Sequence, residues 1–319
     1  MMKKIVTLFV AAIALLATSC NNGKEELVAP IEQFNIAKIE VVAIEGHLHG
    51  KYGFHETADP VGQVYMKRFS KFVFEKQADG TMALAPNSET ALRATGGVGH
   101  GEEHADAHEE EHHHDESEAG SVYGIWIDYF DSKGTKITEK VLGGDNGKRL
   151  QHFFVPREIK PTFDGIQSAI DQHKDVKQFM TYIYCDTDPL TARIKDGAPV
   201  SGEKNPIGHK GYLGFFVPRS QFALDIILSD VGGKTKSPQF WNTPSMNQPI
   251  VKLTIPVVVY AHFEETIEND NMADLTDADR KYLEAAARAY GITIDQALQA
   301  LVNRVEGDVP PHSDAGYWF

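Results

Sequence analysis

From Asn35 onward, apolar residues recur with the short period of extended chain. Ile36 to Glu45 is rich in β-branched residues and reads as a strand. Val64 to Phe74 and Gly80 to Ala85 suggest a strand pair about an Asp79-Gly80 turn. Val122 to Phe130, an Asp131–Gly134 turn and Lys136 to Val141 read as a hairpin. Phe179 to Tyr184, Phe222 to Val231 and Ile250 to Ala261 supply further strands, with Pro256 marking an edge or a bulge. Gln151 to Arg157 and Gly214 to Arg219 share the pentapeptide F-F-V-P-R, which raises an internal duplication. Beyond Asp274 the period becomes helical. Thr276 opens a capping box with Asp279, and Gly291 ends that helix. Thr293 caps a second helix whose stripe is Ile294, Ala297, Leu298, Leu301, Val302 and Val305, with Gly307 as its stop.

The pattern predicts a mainly β fold, an antiparallel β-sandwich (one large or two immunoglobulin-like), over residues 35–265. A helical hairpin at 274–307 would pack against it, and a tail at 308–319 would dock through Tyr317, Trp318 and Phe319. Between the strands that end near Ala85 and begin at Val122, the pattern stops. The insertion at about 95–120 contains His100, His104, His108, His112, His113 and His114 among nine acids and no Lys or Arg. Four of these histidines are spaced by four residues, a helical stripe in which neighbours can chelate one ion. Gly96, Gly97, Gly99 and Gly101 precede it, and no apolar face accompanies it, so the metal-free segment is expected to be disordered, a loop on a rigid scaffold.

Charge narrows the function. The chain carries a formal −14, which repels phosphate and disfavours nucleic acid, while an acidic field gathers cations. Neutral imidazole suits zinc, copper and nickel, and carboxylates add oxygen ligands. Zinc is the expected ion, with copper or nickel as alternatives. A second candidate site lies at Gly46 to Gly50, where His47 and His49 are two apart; His55 or Glu56 then supplies a third ligand. His152, His262 and His312 are further histidines for such a site to recruit.

The first twenty residues have a basic start at Lys3 and Lys4 and an apolar run from Ile5 to Ala17, too short to span a bilayer. They end in Leu16-Ala17-Thr18-Ser19-Cys20, which resembles the lipobox of bacterial lipoproteins. That resemblance implies a signal peptide at 1–19, acylation of Cys20, a flexible tether over 20–34 and membrane anchoring through the lipid. Asn21 to Glu26 is similar to the export tags of Bacteroidetes surface lipoproteins, which implies an outer-membrane, surface-exposed protein. The His/acid run resembles zinc-transporter loops, and the H-x-H-G, Q-H-F-F and C-D-T-D-P stretches resemble uncharacterised Bacteroidetes lipoproteins; neither similarity adds an activity.

With Cys20 committed to lipid, Cys185 stands alone and reads as a buried small hydrophobe. Asp186 and Asp188 read as an Asx-type turn, since no calcium-loop pattern surrounds them. Phe240 and Trp241 are expected to cover a sandwich end. The leading expectation is a lipid-anchored scavenger or buffer of divalent metal that hands its ion to an outer-membrane uptake receptor. The alternative is a sandwich module that binds a protein, glycan or haem. No H-E-x-x-H or G-x-S-x-G occurs, so an enzyme, a metallohydrolase in particular, is not expected.

Overall fold

A computed structural model describes residues 34–49, 51–56, 69–96, 122–232, 236–241, 249–261, 267 and 271–302. In chain order its strands are β1 (Lys38–His49), β2 (Gly53–Glu56), β3 (Phe69–Lys76), β4 (Met82–Leu84), β5 (Leu92–Thr95), β6 (Val122–Phe130), β7 (Leu150–Pro161), β8 (Met180–Tyr184), β9 (Lys210–Phe215), β10 (Ser220–Asp230) and β11 (Val251–Tyr260). The helices are α1 (Thr138–Leu142), α2 (Gly144–Arg149), α3 (Gln167–Asp171), α4 (Asp277–Tyr290) and α5 (Ile294–Val302). The chain is mainly β, with a small helical part at the C-terminal side.

One sheet has the order β4-β3-β1-β6-β9-β8, with β2 added beside β1; the other runs β5-β11-β10-β7. Side-chain alternation explains why they close on each other. Tyr123, Ile125, Ile127 and Tyr129 of β6 are buried on one face, and Val251, Leu253, Ile255, Val257 and Val259 of β11 on another. All nine belong to one hydrophobic cluster, so the sheets share a core as a single sandwich. Burying each such aliphatic or aromatic side chain contributes about 1.5–3 kcal/mol. The far face of the larger sheet carries its own cluster, built from Val42, Ile44, Val122, Cys185, Tyr212 and Phe54.

Three departures from the strand pattern have local causes. After the Asp131 turn, where Lys133 N and Thr135 N both donate to Asp131 Oδ1 at 2.9 Å, the return is only a bridge between Phe130 and Lys136. Lys136 to Val141 is therefore not a strand. Thr138, Val141 and Leu142 are buried at helical spacing as α1, and Tyr129 N donates to Thr138 Oγ1 at 2.9 Å, which closes off further pairing. The two F-F-V-P-R copies are also not equivalent: the first lies within β7, whereas the second crosses from the end of β9 into the turn before β10. Finally, the sheets are not wholly antiparallel, because β5 pairs with β11 in parallel. Pro256 sits one residue before that pairing begins at Val257, a position where no N–H is needed on that side.

As far as Val302 the helical pair follows the sequence pattern, while Val305 and the expected stop at Gly307 lie outside the described residues. Thr276 and Asp279 form the capping box, Gly291 takes a left-handed φ of 66°, and Gln296 N donates to Thr293 Oγ1 at 3.1 Å. Leu283, Ala286 and Ala287 pack with Ala297, Leu298 and Tyr260, which ties the helices to the end of β11. The expected docking of Tyr317 to Phe319 lies outside the described residues.

Candidate functional site

Of the expected ligands, His47, His49 and His55 fall on described backbone. β1 does not end before the H-x-H stretch; it runs through it and turns back as β2. In the register, His47 stands opposite His55 and His49 opposite Gly53. The hairpin is fixed to the sheet. Phe54 stacks on Tyr212 with ring centroids 5.2 Å apart, Tyr212 Oη donates to Tyr52 O at 2.9 Å, and Lys51 and Tyr52 both reach Glu203. Gly124 separates Ile44 from Tyr212 in the pairing, and Phe54 packs with both of those side chains. Burial and then the Glu203 carboxylate push the Tyr52 hydroxyl above its ordinary range.

Both ends of the His/acid insertion meet the fold at this same end of the sandwich. β6 begins at Val122, which pairs with Gly46, the residue before His47. β5 ends at Thr95, whose N–H donates to Tyr123 Oη at 3.1 Å, a bond that spans the two sheets. Gly96 N donates to Tyr260 O at 3.1 Å. A Cβ on Gly96 would lie 2.4 Å from Val259 Cγ1 and 3.3 Å from Phe215 O and Pro218 N, so only glycine fits. His100, His104, His108, His112, His113, His114, His262, His312 and Cys20 lie outside the described residues.

Among the interior polar groups, by contrast, His152, Asp186 and Asp128 are spent on structure. His152 is buried with Nε2 2.6 Å from Tyr129 Oη and Nδ1 2.9 Å from Ile207 O, so neither nitrogen is open to a metal. Burial pushes its pKa down to about 3, which keeps the ring neutral. Cys185 is fully buried and its thiol is pushed up by that burial, as a small hydrophobe should be. Asp186 is not an Asx turn. Its Oδ2 accepts the N–H groups of Ile207 and Gly208, both at 2.8 Å, and its Oδ1 accepts that of His209 at 2.9 Å. The local turn lost because three converging donors satisfy a buried carboxylate better than one. Asp128 accepts from Thr138 at 3.1 Å and from Lys136 at 2.8 Å, with His209 Nε2 3.6 Å away. Burial opposes its ionisation, but His209 and Lys136 outweigh that and hold it at about 2. Among the described residues, no three His, Cys, Asp or Glu side chains gather as a metal site.

A cavity of about 660 Å³ lies elsewhere, between the α3 segment, the turn from β9 to β10 and Tyr282 of α4. Its residues come from three distant segments, so no single stretch of sequence announces it. The one local signal was the second F-F-V-P-R copy, whose Phe216 to Arg219 line the wall. Phe240 is buried and Trp241 partly so, the latter beneath Lys177 Nζ at 4.6 Å, as expected for aromatics that cover the sandwich. Comparisons with protein-family models, with curated proteins and with solved structures find no match to this chain.

Proposed function

We propose that this protein is a lipid-anchored cell-envelope protein that captures a divalent transition metal, zinc before copper or nickel, for uptake or buffering. One observation carries the reading: the His/acid insertion re-enters the fold opposite Gly46, beside a hairpin in which His47 pairs with His55. Directly opposed positions on antiparallel strands share a face about 5 Å apart, a separation that suits two ligands of one ion. The insertion concentrates cations through its carboxylates and six histidines, and the hairpin register sets two histidine positions opposite each other to receive one. Ligating imidazoles must be neutral, so capture weakens as pH falls through about 6.5.

Acylation at Cys20 supplies the membrane anchor, and the tag-like Asn21 to Glu26 supports an outer-membrane, surface-exposed placement. An uptake receptor is the partner such a device would serve. The test is elemental analysis after dialysis against zinc, copper, nickel and calcium at pH 7.5. The chain from Asn22 would be compared with a variant lacking 98–119. Retention of several zinc equivalents by the first and fewer by the second supports capture. Equal retention, or none in either, overturns it.

A further inference from the structure

The cavity beside α3 has features that the metal reading leaves unused. Its walls are largely apolar, with Ile166, Ile170, Phe216 and Val217 prominent, and its volume of about 660 Å³ suits a small organic ligand. Phe163 and Ile166 are the large hydrophobic side chains that stand exposed among the described residues, at 37% and 65%. Ile166 lines the cavity, and the Phe163 ring lies 5.6 Å from that of Tyr282, which also lines it. Two exposed apolar side chains gathered at one mouth mark a binding surface better than either would alone.

The polar groups define what the ligand must carry. Asp164 is already engaged: it accepts from Thr162 at 2.6 Å and from Tyr282 Oη at 3.3 Å, and Arg219 Nε forms an ion pair with it at 3.3 Å. Arg219 engages that carboxylate through Nε, and its two terminal nitrogens have no partner among the described residues. His173 spends Nδ1 on the Ala169 carbonyl at 3.0 Å, which leaves Nε2 as its uncommitted ring nitrogen among the described residues. Arg219 also holds a left-handed backbone, φ 56°, which is uncommon for a long side chain and is pinned by the bond from Thr162 N to its carbonyl at 2.9 Å. The fold thus holds a half-used guanidinium fork against an apolar chamber.

We propose that this cavity binds a small apolar carboxylate, its acid group on the terminal nitrogens of Arg219 and its hydrocarbon body against Ile170 and Phe216. An Arg fork matches a carboxylate in shape as well as charge. A cation is disfavoured, because Arg219 already neutralises Asp164, the one carboxylate on the wall. This site is independent of the metal reading and stands whether or not zinc binds.

Ligand-observed NMR titration of the full mature chain with 4-phenylbutyrate and with cyclohexylacetate, beside the corresponding alcohols, tests the proposal. Arg219→Asn removes the fork while tolerating the left-handed backbone, and Ala169→Phe fills the chamber without touching a charge. Thermal melting confirms that each variant is folded. Saturable binding of the acids is expected, at least ten-fold weaker for the alcohols and weakened at least ten-fold by either substitution. The proposal is overturned if the acids fail to bind the parent protein. Equal binding of acid and alcohol, or binding that survives both substitutions, overturns it as well.

Discussion

His152 lies inside the sandwich with Nε2 against Tyr129 and Nδ1 against Ile207, whereas His47 and His55 stand opposite each other in a hairpin that runs past the start of β6. The first histidine has exhausted its hydrogen-bonding capacity and is held neutral by burial. The second two are placed by backbone register, at the end of the sandwich where the His/acid insertion leaves and re-enters. The contrast teaches that histidine count is a poor guide to ligand count. What matters is whether the fold has already consumed the ring nitrogens.

The sharpest way to separate the two regions is to damage the polar interior and leave the hairpin alone. Asp186→Ala strands three buried N–H donors and is expected to cost about 3–5 kcal/mol by urea denaturation. Metal retention per folded molecule should not change.

Acid distinguishes them next. His152 titrates near 3 when folded and near 6.5 when unfolded, so below 6.5 the unfolded chain binds the extra proton. This group's contribution is fully present above about 6.5 and is lost as pH falls towards 3, by at most about 1.4 kcal/mol per pH unit. Asp128 adds to the loss only as pH falls from about 3.8, where it titrates in the unfolded chain, towards 2. Melting across pH 7 to 4 in wild type and His152→Gln should show a steeper slope in the wild type. A shared slope would assign the acid sensitivity elsewhere.

A smaller effect bears on how the insertion is fastened. Gly96→Ala drives a methyl group against Val259 and is expected to cost about 1–3 kcal/mol in urea. The double change His47→Gln with His55→Gln, by contrast, should alter metal-free stability by no more than about 0.5 kcal/mol. If the hairpin pair proved as costly as Asp186, its histidines would be structural and the comparison would collapse.

Much of the scaffold was legible because alternation is a local signal. β1, β6, β10 and β11 announce themselves through β-branched runs, and Thr276, Asp279 and Gly291 mark α4 through its ends. The failures were long-range. Asp186 looks like a turn residue until the Ile207 to His209 segment folds over it from twenty residues away. Lys136 to Val141 carries both a strand-like and a helical spacing, and burial of Val141 and Leu142 decided between them. Of the candidate sites, the H-x-H stretch and the insertion could be read as chemistry, but the pairing of His47 with His55 could not. It depends on β1 extending three residues beyond Gly46, where β6 starts. The cavity at Arg219 left almost no trace, since Asp164, Arg219 and Tyr282 are remote in sequence.

The central claim is that the insertion gathers divalent ions and the His47–His55 hairpin holds one of them tightly. It is tested most directly by zinc competition titration at pH 7.5 on the chain lacking 98–119, with and without His47→Ala and His55→Ala. The account predicts a single tight zinc in the shortened chain that disappears in the double variant, while the complete chain holds additional, weaker equivalents. A residual zinc untouched by the two substitutions, or a shortened chain that holds none, would contradict it.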